Sequence, residues 1–115
     1  MAAMPSPYPI AQAIGLAAVL AAGAAAAEAV DTPQCRRDLT AANRLIQGIA
    51  AREKRFVAGD LAKNCKLLRQ NLADMEGARE PLDRCLRGHE HSETVAQMDA
   101  SIEDIRAVLA DKCPQ

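Results

Sequence analysis

Between residues 33 and 112 the apolar positions fall on three stripes at helical spacing, and no stretch alternates with a period of two. The first stripe is Cys35, Leu39, Ala42, Ile46, Ile49 and Phe56, with Glu53 filling the one long gap. Steps of three and four place these residues on one helical face. Thr32 is the expected N-cap and Pro33 the first helical residue, where its missing N–H costs nothing. Gly59 is expected to end the segment and Asp60 to cap the next.

The second stripe runs Leu61, Cys65, Leu68, Leu72, Met75, Leu82 and Leu86, with Arg79 in the gap. It keeps a heptad-like, coiled-coil register along its length. Gly77 weakens that helix, and Pro81 removes the hydrogen bond to the carbonyl four residues back. A kink near Gly77–Pro81 is therefore expected, and the resumed stripe at Leu82 argues against a new direction. Gly88 then reads as a stop and His89-Glu90-His91 as a turn. Ser92 is the expected cap of a third helix whose stripe is Val95, Met98, Ile102, Ile105 and Leu109. Connections this short make neighbouring helices antiparallel. The pattern predicts an all-α, up-down-up three-helix bundle over residues 30–115, its middle helix kinked.

Charge changes the reading of the N-terminus. All 14 Lys and Arg and all 15 Asp and Glu lie at or after Glu28. The preceding run of Ala, Ile, Leu, Val and Gly has the length and small-residue ending of a signal helix. Residues 1–27 are the expected signal peptide, with A-x-A cleavage after Ala27 or Ala29. The leader lacks the usual basic start. The competing expectation is a retained N-terminal membrane anchor, which its alanine and glycine content disfavours. Cleavage leaves no membrane segment, so an exported protein, periplasmic or secreted, is expected.

The remaining stretch, about 86 residues, is near the size at which an apolar core alone becomes marginal. It has no Trp, and Phe56 is its single aromatic residue. Covalent staples are the usual remedy, and four cysteines in a small exported chain point to two disulfides. Helix register selects the pairing. Reversal near residue 59 sets Cys35 level with about residue 82, so Cys85 is roughly 4.5 Å away along the axis. Reversal near residue 90 sets Cys65 close to Cys113. The alternatives join opposite ends of the bundle, or points about 30 Å apart on one helix. The expected bridges are Cys35–Cys85 and Cys65–Cys113. There is no C-x-x-C for redox work, no haem motif and no close ligand pairs for zinc.

The one cluster with metal-ligand chemistry is His89, Glu90 and His91. It gives an alternative function, a periplasmic metal-binding protein, although a third strong ligand is not apparent. Otherwise no cofactor is expected. Arg52, Lys54 and Arg55 suit a helix C-terminus through the helix dipole. Arg36, Arg37, Arg84 and Arg87 are expected to gather at one end of the bundle, balanced by Asp38 and Asp83. A formal net charge of −1 gives no electrostatic case for nucleic acid. Few hydroxyl residues, no nucleophile–base pair and no volume for a deep pocket argue against an enzyme. The expected function is that of a small exported accessory factor that binds another protein, whose identity the sequence does not give.

Overall fold

The computed structural model describes residues 29–114; the expected signal peptide, residues 1–27, lies outside them. Three helices follow in order: α1 (Pro33–Glu53), α2 (Leu61–Cys85) and α3 (Gly88–Lys112). None of them is long and apolar enough to cross a membrane.

Local chemistry sets the start of α1 as expected. Thr32 is extended, its hydroxyl accepts the Cys35 N–H at 3.1 Å, and Pro33 follows at the first helical position. The helix ends before Phe56, which is half-buried in the turn beyond it. That turn is tied down by a buried asparagine of α2. Asn64 Oδ1 accepts the Val57 N–H at 3.0 Å, and Asn64 Nδ2 donates to the Val57 carbonyl at 2.8 Å. Two bonds to the backbone of one residue leave Asn64 satisfied out of water, which is the condition for burying an amide. Asp60 then caps α2 by accepting the Lys63 N–H at 3.1 Å.

α2 continues without a break through both Gly77 and Pro81. Gly77 has a packing role: a Cβ there would sit 3.3 Å from Leu45 Cδ1 of α1.

The start of α3 departs from the expectation. It begins at Gly88, not Ser92, and the His89-Glu90-His91 segment is its first turn instead of a connecting loop. The reversal is made by two extended residues, Leu86 and Arg87. Gly88 follows with φ +62, a backbone conformation that glycine adopts without strain. The His91 N–H closes the first turn on the Arg87 carbonyl at 3.0 Å. Leu86 is also held from outside the helices. It pairs with Ala29 in an isolated antiparallel bridge, and the Val30 N–H donates to the Cys85 carbonyl at 2.7 Å.

Helices α1 and α3 both pack closely against α2. The bridge from Cys35 to Cys85 joins the start of α1 to the end of α2. The bridge from Cys65 to Cys113 joins the start of α2 to the end of α3. Neighbouring helices are therefore antiparallel. One core runs through all three: Ala42, Ile46 and Ile49 from α1, Leu68, Met75 and Leu82 from α2, Met98, Ile102 and Ile105 from α3. Most stripe residues are buried, although Leu39, Phe56, Leu72 and Leu109 are half-buried against the core. Leu61 is 54% exposed at the head of α2, and Val95 is only half-buried while Thr94 and Ser101 are buried beside it.

Candidate functional site

Both expected cysteine pairs are bonded, with Cα–Cα distances of 5.5 Å for Cys35–Cys85 and 5.8 Å for Cys65–Cys113. The first bridge carries a cationic neighbour. Arg84 Nη1 lies 3.3 Å from Cys85 Sγ and 3.9 Å from Cys35 Sγ. The same guanidinium donates to Asp38 across the helix interface at 2.8 Å and to Glu80 within α2 at 3.0 Å. Hydrogen bonds to Glu80 and then Asp38 raise the Arg84 pKa further above its ordinary value. The Asp38 carboxyl is held below the usual carboxylate range, first by its bond from Gln34 and then by Arg84. At the opposite end, Arg69 Nη2 donates to the Pro114 carbonyl at 3.0 Å, fixing the chain just beyond Cys113.

The expected arginine patch is dispersed by these pairings. Arg84 is taken by Asp38 and Glu80, Arg36 by Asp31, and Arg37 donates to Gln34 at 3.0 Å. Asp83 turns to the other flank, 2.7 Å from His91 Nε2 and 3.8 Å from Arg79. Arg52 also does more than meet a helix dipole. Half-buried between α1 and α2, it donates from Nε to Asn71 Oδ1 at 2.6 Å and pairs with Asp74. Arg79–Asp99 and Arg106–Glu76 tie α2 to α3. The Asp99 carboxyl is lowered by its hydrogen bond from Arg79.

The His89, Glu90 and His91 side chains do not converge. His91 is drawn to Asp83 and His89 to Glu93 at 3.2 Å. Residues two apart on a helix project from different faces. Among the described residues no three His, Cys, Asp or Glu side chains gather as a metal ion would require.

Among the described residues, two buried side-chain polar atoms have no partner: Glu53 Oε1 and Asn71 Nδ2. Glu53 follows the core face of α1, and burial pushes its carboxyl up. A carboxyl raised by folding adds stability below its unfolded pKa of about 4.3, and loses it as pH rises through the folded value. At neutral pH its charged form is therefore a penalty. Glu53→Gln is expected to melt higher than the wild-type protein at pH 7, with the gain shrinking as pH falls through the raised folded value and gone below about 4. Asp38 and Asp99 act in the opposite sense in both proteins, so the difference between the two melting curves isolates Glu53. A gain that grew in acid would overturn this assignment.

No family model, curated protein or solved structure matches the chain. Its chemistry has to be read from its own residues. The polar side chains between helices are engaged in holding the helices to one another, and the recesses on α1 and α3 are shallow and open.

Proposed function

We propose that the chain is an exported, disulfide-stapled helical factor that acts by binding another protein through its exposed helix faces. The observation that carries this reading is the pair of interleaved bridges, Cys35–Cys85 and Cys65–Cys113, which fasten the central helix to a neighbour at each end. Disulfides of this kind form and persist in oxidising compartments. They also give a small domain with an aromatic-poor core a rigid surface, and rigid surfaces lose less entropy on association. Broad helix faces with shallow recesses suit a protein partner better than a small substrate.

The test has two arms. The intact mass of the protein recovered from the producing cell should show a new N-terminus at Glu28 or Val30 and the loss of four hydrogens. A full-length, fully reduced product would sink the export reading. Cross-linking in the same cells, before lysis, should return a specific protein adduct that is lost when the exposed faces of α1 and α3 carry substituted side chains. An adduct pattern indifferent to those substitutions would sink the binding reading.

A further inference from the structure

The near-neutral net charge conceals a strong separation along the bundle. Residues Pro33–Arg55, comprising α1 and the turn after it, carry six basic and two acidic side chains. Helix α3 carries six acidic and two basic. Central helix α2 is almost balanced, with five basic and four acidic. The molecule therefore has a cationic flank and an anionic flank of equal size, one on each helix packed against α2.

Arg36, Arg52, Asp99 and Arg106 are paired within the molecule, but four charges on the outward faces make no salt bridge there. Arg37 hydrogen-bonds only the neutral Gln34 amide, with Asp38 nearby, and Arg44 has no partner among the described residues. Glu103 and Asp104 likewise have none among the described residues, and all four are exposed. Each face also has small residues where a helix would have to approach. Arg37, Ala41, Arg44 and Ala51 follow one another at steps of four, three and seven on α1. Ala96, Ala100, Glu103 and Ala107 do the same at steps of four, three and four on α3. A shallow depression lies over Ala41, walled by Arg36, Arg37 and Arg44, and another over Ala100, walled by Asp99, Glu103 and the Arg106 that pairs with Glu76. Alanine lets two helix axes come within about 8–10 Å, and long charged side chains at the flanks then reach across, as at the edges of a coiled coil.

We infer that the partner these faces fit is a second copy of this chain, with the cationic outer face of α1 lying on the anionic outer face of α3 of its neighbour. Opposite signs on two faces of one molecule make the contact attractive. A net charge of −1 leaves almost no overall repulsion to oppose it. The contact is heterologous, so each copy keeps one face of each kind, and assembly continues head to tail unless the rotation closes it. The inference rests on the reading that the chain acts through its helix faces. It concerns the purified protein alone, so its failure leaves the export and cross-linking results untouched.

Sedimentation equilibrium of the oxidised protein, as cells produce it, provides the test. The weight-average mass should rise with concentration at low salt. Association should weaken roughly tenfold between 50 and 500 mM NaCl, as solvent-exposed pairs are screened. Arg37→Glu with Arg44→Glu should leave a monomer, and so should Glu103→Arg with Asp104→Arg. Equimolar mixing of these two variants should restore association, because the unaltered α3 face of the first can then meet the unaltered α1 face of the second. All four positions are exposed, and an unchanged melting temperature checks that each variant is folded. A wild-type monomer at millimolar concentration, salt-independent association, or a mixture that stays monomeric overturns the inference.

Discussion

Replacing both members of either disulfide by alanine is expected to lower the stability of the folded protein by up to about 4 kcal/mol, and replacing all four cysteines is expected to abolish cooperative folding. The bridges span sequence separations of 50 and 48 residues. Closing a loop of that size in the unfolded chain corresponds to roughly 4 kcal/mol of lost conformational entropy, an upper figure for measured effects. A domain of this length has a total stability on the order of 4–13 kcal/mol. One bridge is thus a large share of the whole, and two together rival it. The bridges should also fail differently. Without Cys35–Cys85, the corner where α1 starts and α2 ends keeps the Arg84–Asp38 pair and the Val30–Cys85 backbone bond. Without Cys65–Cys113, the end of α3 keeps its core contacts, the Arg106–Glu76 pair and the Arg69 bond to Pro114. Urea unfolding of the oxidised protein and of the three variants measures the loss, and amide exchange locates it. Exchange in the last turns of α3 should rise most in the Cys65/Cys113 variant. A four-cysteine variant that unfolds cooperatively at the wild-type midpoint would show that the core suffices alone.

The success of the cysteine pairing from register has a physical basis. It required only that neighbouring helices be antiparallel and that α2 run unbroken past Pro81, and both conditions hold. Periodicity was less informative where polar residues carry structure. Arg52, Asn64 and Asn71 look like ordinary surface residues in an apolar pattern, yet they clamp α1 and its exit turn to α2. Thr94 and Ser101 are buried on α3 because their small side chains fit the interior, and hydroxyl residues do not register on an apolar stripe. The start of α3 at Gly88, ahead of the Ser92 cap signal, has a different cause. Gly88 and Ser92 are both strong local signals, one for a stop and one for a cap. The two-residue reversal at Leu86–Arg87, held in place by Ala29, made a longer turn unnecessary. That contact joins residues nearly 60 positions apart, which local patterns do not encode. The candidate interaction faces were hidden in the same way. A whole-chain charge near zero conceals two helices of opposite sign, and only their separate placement against α2 makes that opposition available to a partner.

Leu82→Ala and Leu61→Ala provide the sharpest test of where the core lies, since both leucines occupy the same apolar stripe of α2. Leu82 is completely buried, packed in the cluster formed by Ala42 and Ile46 of α1 and Met98 and Ile102 of α3. Its truncation removes buried methyl groups and leaves a cavity that three cross-linked helices cannot easily collapse around, so a loss of about 3 kcal/mol is expected. Leu61 is 54% exposed in the first turn of α2. Its truncation should change stability by less than about 0.5 kcal/mol, and alanine's higher helix propensity offsets part of even that. For a domain of this size, each kcal/mol shifts the melting temperature by about 4–8 °C. Leu82→Ala should therefore melt some 12–24 °C lower than the wild-type protein, while Leu61→Ala stays within a few degrees of it. The unfolding slope in urea should remain the same in all three proteins, because the surface exposed on unfolding is nearly unchanged. Equal losses at the two positions would mean that the head of α2 is covered in the working molecule. With Val57 also 44% exposed beside it, that result would place an apolar contact of a partner at this turn.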